Sequence, residues 1–432
     1  MRSVQENKPP QALFRMTEPS PKSGRTHLFL TPSLIRALVL YASLLFLLLV
    51  MGHVFVDGDF KVFYTANRQL FHRLNPYNPQ LYSDGYPFGL PNSPLAFLIA
   101  APASFFRLSL AIPIWDVLSL MLWAASVYLW MMMLWRPPVR FEDVARVSAA
   151  CAIPPLYWAF ASHQMIFQVL LCATIACWIT QRKGSAFWAG VAAGGMLMKP
   201  HLVALLALAL FAKSNRKFLF SLGMAIALLL PFIPFMHTLR PPSDLLDWSH
   251  TLHQFRSQVF YADEQGLGAR AISTVRATLA GHDILRTGIA PGVLIPASTG
   301  NKLFRGKVML WLLGAAAWSF WGYKNQERST EEYLAITLGW SLLLSVYSHL
   351  YDALLLVPLV LVALREASKK WPLSDVFGIF FAVHFVATWL SLSMAYFPTL
   401  KWQVDGWAAT AYFAASLMTL YCVRCGTVTR QE

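Results

Sequence analysis

The stretch LIRALVLYASLLFLLLVMGHVFV, residues 34–56, ends abruptly in Asp57-Gly58-Asp59, and it decides the fold class. Apart from Arg36 near its start and His53 near its end it is apolar over the ~20 helical residues needed to cross a hydrocarbon core of ~30 Å. A barrel strand would alternate apolar and polar positions instead, so the crossing element is a helix. Similar blocks recur along the chain of 432 residues, of which 56% are hydrophobic and 13% charged. An ordinary soluble domain carries roughly 25% charged residues, so the fold class expected here is an all-α polytopic membrane protein. The net charge of +14 raises nucleic acid as a partner. The basic residues, however, lie scattered between apolar blocks and form no stripe, which argues for loop charges that set topology and against nucleic acid.

Upstream of the first span, residues 1–31 are polar and contain Pro9, Pro10, Pro19 and Pro21, which reads as a disordered tail and not as a cleaved signal peptide. Arg15, Lys22 and Arg25 place that tail in the cytoplasm, so Asp57 and Asp59 emerge on the outer side. An outer loop, residues 57–110, follows. Its apolar end is interrupted by Pro94 and Pro102 and is too short to cross, so it is expected to lie along the interface. Further spans are expected near 111–135, 147–161, 164–180, 185–199, 201–213, 217–238, 304–323, 333–347, 350–365, 373–394 and 406–424, twelve with the first. Under that count Arg136, Arg140 and Arg146, then Arg182 and Lys183, then Lys213, Arg216 and Lys217, all fall on the side of the tail. So do Lys324 and Arg328, then Arg365, Lys369 and Lys370, and finally Arg424 and Arg430. Residues 32–425 thus form one transmembrane domain with a second large outer loop at 239–303 and a cytoplasmic tail at 426–432. A kink is expected around Lys199-Pro200. Cys151, Cys172 and Cys177 sit in apolar blocks as small hydrophobes. Cys422 and Cys425 form a lone CxxC without the second pair a zinc site needs, so no metal is assigned there.

The polar residues left at the outer ends are Asp57, Asp59, His163, Gln164, Lys199, His201, His349, Tyr351 and Asp352. Lys199 lies between MLM and PHLVALLALAL with no adjacent acid, so it needs a distant partner or an anionic ligand, unless it snorkels to the interface. Asp59 read alone is equally a cap at a helix end. A carboxylate with several cations at a bilayer surface suits a reaction on a phosphate-bearing lipid. The cations would hold phosphate oxygens and steady the leaving group while the carboxylate takes a proton from an attacking hydroxyl. Transport of a lipid-linked sugar is the alternative. It would favour internal repeats and charges through the depth of the bundle, and no repeat is evident.

The run DGDFKVFYTANRQLFHRLNPYNPQLY, residues 57–82, and YPFGLPNSPLAFLIAAP, residues 86–102, together resemble the first outer loop of glycosyltransferase family 87. Asp59, Tyr64, Asn75, Pro76 and Tyr77 match its pattern in order. ASHQMIFQ resembles the family's Gly-Gln turn, with Ser162-His163 where glycine is usual. GVAAGGMLMKPHLVALLALAL resembles its Lys-Pro segment and YSHLYDALLLVPL its late Ser-Pro-His segment. The resemblance implies a GT-C helix bundle that moves a sugar, mannose by preference, from a polyprenyl-phosphate donor to a hydroxyl of a lipid-linked or cell-envelope glycan acceptor. It implies placement in the plasma membrane, with both termini cytoplasmic and the reaction on the outer face. Asp59 matches the general base, with Asp57 as runner-up, and Lys199 and His349 match positions near the donor phosphate. Asp57, Tyr64, Asn75, Tyr77, His163, Gln164, His201 and Asp352 are the further candidates for substrate binding. The DGD at 57–59 has DxD spacing but no identifiable partner ligands, so no metal is assigned and no cofactor is expected. The partners implied are the donor, the acceptor and membrane lipids. In the 239–303 loop, His250, His253, Arg256, Gln265, Arg270 and Arg276 read as acceptor contacts or as ordinary solvated charges.

Overall fold

The helix Leu108–Leu134 is 27 residues long, roughly 40 Å at 1.5 Å per residue, and it is apolar all round. Its pattern is the reverse of a soluble helix. Asp116, Ser119, Trp123, Ser126 and Trp130 recur every three or four residues and are buried, while Leu110, Val117, Met121 and Tyr128 are exposed. Polar groups turned inward and large apolar groups turned outward are what a hydrocarbon solvent selects. Trp188, Phe218 and Leu229 on other helices are likewise exposed. The structure, a computed structural model, describes residues 60–77, 93–135, 163–213, 216–230, 329–343 and 350–368, with scattered positions in 143–160 and 247–251 and Leu313. Every regular element among the described residues is helical.

In chain order these elements are α1 (Phe60–Phe71), α2 (Pro94–Ser104), α3 (Leu108–Leu134), α4 (Ile166–Gln181) and α5 (Ala186–Gly195). They continue with a 3-10 turn (Met196–Met198), α6 (Pro200–Lys213), α7 (Lys217–Leu229), α8 (Thr330–Leu343), a 3-10 helix (Leu350–Leu356) and α9 (Val357–Ser368). Proline opens both α2 and α6, at the position where a missing N–H costs nothing. The break expected at Lys199-Pro200 is present as the 3-10 turn before α6. At 11 residues, about 16 Å, α2 is too short to cross a bilayer, and it packs on α1 and α3. Among the described residues α3 alone has the length and hydropathy of a full span. The expected spans 34–56, 373–394 and 406–424, all of 304–323 but Leu313, most of 147–161, the tails and most of the 239–303 loop lie outside the described residues.

Neighbouring helices are locked by named contacts. The Trp115 indole donates to the His163 carbonyl at 3.1 Å, Trp130 donates to Thr174 Oγ1 at 3.0 Å, and Gln181 reaches the Met133 carbonyl at 3.4 Å. Contacts that advance together along both chains mean that α3 and α4 run parallel. α5 and α7 approach most closely of all. A Cβ on Gly190 would overlap the Phe220 carbonyl, one on Gly194 the Ala227 methyl, and one on Gly223 the Phe187 carbonyl. That is small-residue packing of the kind used where lipid removes the hydrophobic drive between helices.

The bundle has two chemically distinct ends. At one, Gln181 donates to Glu331 at 3.1 Å and Arg365 lies 3.6 Å from the same carboxylate. Arg182 sits over the Trp178 ring and Lys213 over the Tyr333 ring. At the other end are His163, Gln164, Lys199 and Asp352, separated from the first group by the length of α4, about 25 Å.

Candidate active site

The turn that enters α4 is a helix C-terminal motif followed at once by a new helix. His163 N–H donates to the Phe160 carbonyl at 2.9 Å and Gln164 N–H to the Ala159 carbonyl at 2.8 Å. This paired bonding requires a left-handed residue in the position that normally takes glycine, and His163 fills it with φ 48°. Arg73 and Lys183 hold the same position at the ends of α1 and α4.

From this turn two side chains leave toward different partners. The Gln164 carbonyl oxygen lies 3.4 Å from the Lys199 ammonium, and Lys199 Nζ donates to Asp352 Oδ1 at 2.8 Å. Lys199 is 8% exposed and Asp352 fully buried, so three segments far apart in sequence meet in one buried polar contact. The distant partner that an ammonium flanked by apolar residues demands is therefore Asp352, and Lys199 is held in the bundle. The turn carrying Lys199 is itself tied to α2, because Ser93 Oγ donates to the Leu197 carbonyl at 3.3 Å. His163 Nδ1 lies 2.9 Å from Asp116 Oδ1 on α3. The starts of α4 and α6 flank this cluster, and their N-terminal dipoles add partial positive charge at the same end.

Other candidates are placed nearby or apart. Tyr64 donates to the Phe106 carbonyl at 2.9 Å, joining α1 to the α2–α3 link. Asn75 accepts from the Tyr77 N–H at 2.9 Å and donates to Asp247 at 2.8 Å, while Tyr77 packs on Phe97. The turn Asn75-Pro76-Tyr77 thus ties the segment that follows α1 to Asp247. His201 falls in the first turn of α6. Asp57, Asp59 and His349 lie outside the described residues. Phe60, which follows Asp59 in sequence, is fully buried and packs 4.9 Å from the Trp115 ring, beside Asp116. Asp116 is the residue the sequence reading passed over. Its signal was available, since it is a lone acid inside an apolar helix, as Lys199 is a lone base.

Large apolar side chains on the surface, a few buried polar groups turned inward, and the buried Lys199–Asp352 and His163–Asp116 contacts at one end of the bundle define an integral membrane protein with a built polar site. The family model described as Glycosyltransferase family 87 matches residues 91–348, more than half of the chain. The chain belongs to glycosyltransferase family 87 and is a membrane-bound glycosyltransferase. No curated protein and no solved structure matches it. The matched segment contains Asp116, His163, Gln164 and Lys199 and stops short of His349 and Asp352.

Proposed function

We propose that the protein transfers a sugar, mannose by preference, from a polyprenyl-phosphate donor to a hydroxyl of a lipid-linked or cell-envelope glycan on the outer face of the plasma membrane. The observation that supports this most is the buried contact of Lys199 with Asp352 and Gln164 at one end of the bundle, in a chain of a glycosyltransferase family. A fixed ammonium beside two helix N-termini suits the anionic phosphate that leaves when the glycosidic bond breaks. In this reading Asp59 takes the proton from the acceptor hydroxyl as that oxygen attacks the anomeric carbon from the face opposite the phosphate. The bond to the phosphate oxygen breaks, the configuration inverts, and Lys199 and His349 hold the released polyprenyl phosphate. The basic residues at the far end of the bundle, Arg182, Lys183, Lys213, Arg216 and Lys217, support a cytoplasmic assignment for that end and an outward one for the site. Transport as the alternative draws less support, because α4 to α7 carry their charged side chains only at their ends.

The test uses purified protein in nanodiscs with polyprenyl-phosphate-mannose and a cell-envelope lipid extract. Wild type should release polyprenyl phosphate, and Asp59→Asn, folded as judged by its melting curve, should not. Equal release by both proteins would remove Asp59 as the base.

A further inference from the structure

We propose that binding of the donor phosphate is coupled to uptake of a proton by His163, whose ring is positioned for this by Asp116. The inference rests on the polyprenyl-phosphate reading above and adds a further phosphate-contacting group, beside Lys199 and His349, to that site.

Three observations carry it. First, a side chain at φ 48° is held where glycine would sit without steric cost. Arg73 and Lys183 occupy equivalent positions with exposed side chains, whereas the His163 ring turns to a carboxylate that is 4% exposed. Strain of this kind held in place by a buried partner is concentrated at functional sites. Second, both ends of the residue are fixed. Asp116 takes Nδ1–H at 2.9 Å and the Trp115 indole holds the carbonyl at 3.1 Å. With Nδ1 committed, Nε2 is the working atom. It makes no hydrogen bond to a described residue, and the side chain keeps 13% exposure.

The third observation is the charge around it. The charged groups on the described elements about this end are Asp116 on α3 with Arg107 at its N-cap, Lys61 and Arg68 on α1, and the Lys199–Asp352 pair; of these only Asp116 is paired with the His163 ring. Lys199 and Asp352 balance each other. The Asp116–His163 pair is neutral when the ring is an imidazolium and carries a net negative charge when it is not. A phosphodiester entering this end is therefore favoured when His163 takes a proton from solvent, and Nε2–H then donates to a non-bridging phosphate oxygen. Asp116 acts only through the ring and is a positioning residue.

The donor is a phosphodiester, which keeps one charge across the neutral range, so protons exchanged on binding belong to the protein. The experiment is titration calorimetry of polyprenyl-phosphate-mannose into the full chain in nanodiscs without acceptor, near neutral pH, in two buffers of different ionisation heat. Wild type is expected to take up a clear fraction of a proton. His163→Asn tolerates the left-handed backbone and should take up none from this site, binding the donor about ten- to a hundred-fold more weakly. His163→Gly removes the ring without backbone strain, gives up some stability because Asp116 loses its partner, and should lose the same uptake. Asp116→Asn keeps the shape and should take up less than wild type. Binding by wild type without proton uptake, or the same uptake in both His163 variants, overturns the coupling and leaves the donor reading standing. Failure of wild type to bind the donor at all contradicts the donor reading and the coupling with it.

Discussion

Lys199 is an ammonium held 8% exposed in a bundle with an apolar exterior, stabilised by Asp352 at 2.8 Å. Removing one partner of a buried pair leaves an uncompensated charge and costs ~3–5 kcal/mol, whereas removing both with apolar replacements of similar volume is often close to neutral. Lys199→Met and Asp352→Leu should therefore each lower the thermal midpoint sharply in detergent. The double variant should recover much of the loss while remaining inactive in sugar transfer. Equal destabilisation in the double variant, adding the two single effects, would mean that the pair is not energetically coupled. The sequence made Lys199, Gln164 and Asp352 candidates separately, because each breaks an apolar run. It did not pair them, since Lys199 and Asp352 are 153 positions apart and only the bundle brings them together. Asp116 escaped because tryptophan and serine neighbours made its helix read as an ordinary span. Asn75 and Tyr77 were legible as a turn, and the structure gives both of them protein partners.

At the level of elements, the positions of α3, α4, α6 and α7 follow from where apolar runs stop at Arg, Lys and Pro, and each begins within a few residues of the expected span. What periodicity does not carry is the change of helix type. The 3-10 segments Met196–Met198 and Leu350–Leu356 bear on the placing of Lys199 and Asp352; Pro200 signals a break beside the first, whereas the second reads in sequence as continuous apolar helix. The α5–α7 contact is set by glycines whose importance appears only across the interface. Gly194→Ala should cost about 1–3 kcal/mol, because the new methyl meets Ala227 and backbone of α7. Gly195→Ala should cost less, since its Cβ would come 2.7 Å from the Cys172 Sγ, a side-chain tip able to rotate. Comparing the two melting curves checks the assignment, and equal curves would argue against close α5–α7 packing.

For the whole molecule, the sequence puts basic residues on alternate loops, and among the described residues Arg182, Lys213 and Arg365 lie at the end of the bundle opposite Lys199 and His163. The number of spans is an expectation resting in part on segments outside the described residues. Orientation is open to direct measurement in a variant whose five native cysteines are replaced by serine. His72→Cys, exposed after α1, should react with a membrane-impermeant maleimide in intact cells, and Arg182→Cys should react only after permeabilisation. The opposite result would turn the bundle over and put the site on the cytoplasmic face.

The most direct measurement is the single-turnover rate of polyprenyl phosphate release from polyprenyl-phosphate-mannose by purified wild type and by Lys199→Gln, with acceptor extract present and folding checked by melting. A fixed cation that stabilises the leaving phosphate predicts a fall of about 10²–10³-fold in the variant. An unchanged rate in a folded Lys199→Gln protein would contradict the assignment of this end of the bundle as the place where the glycosidic bond is broken.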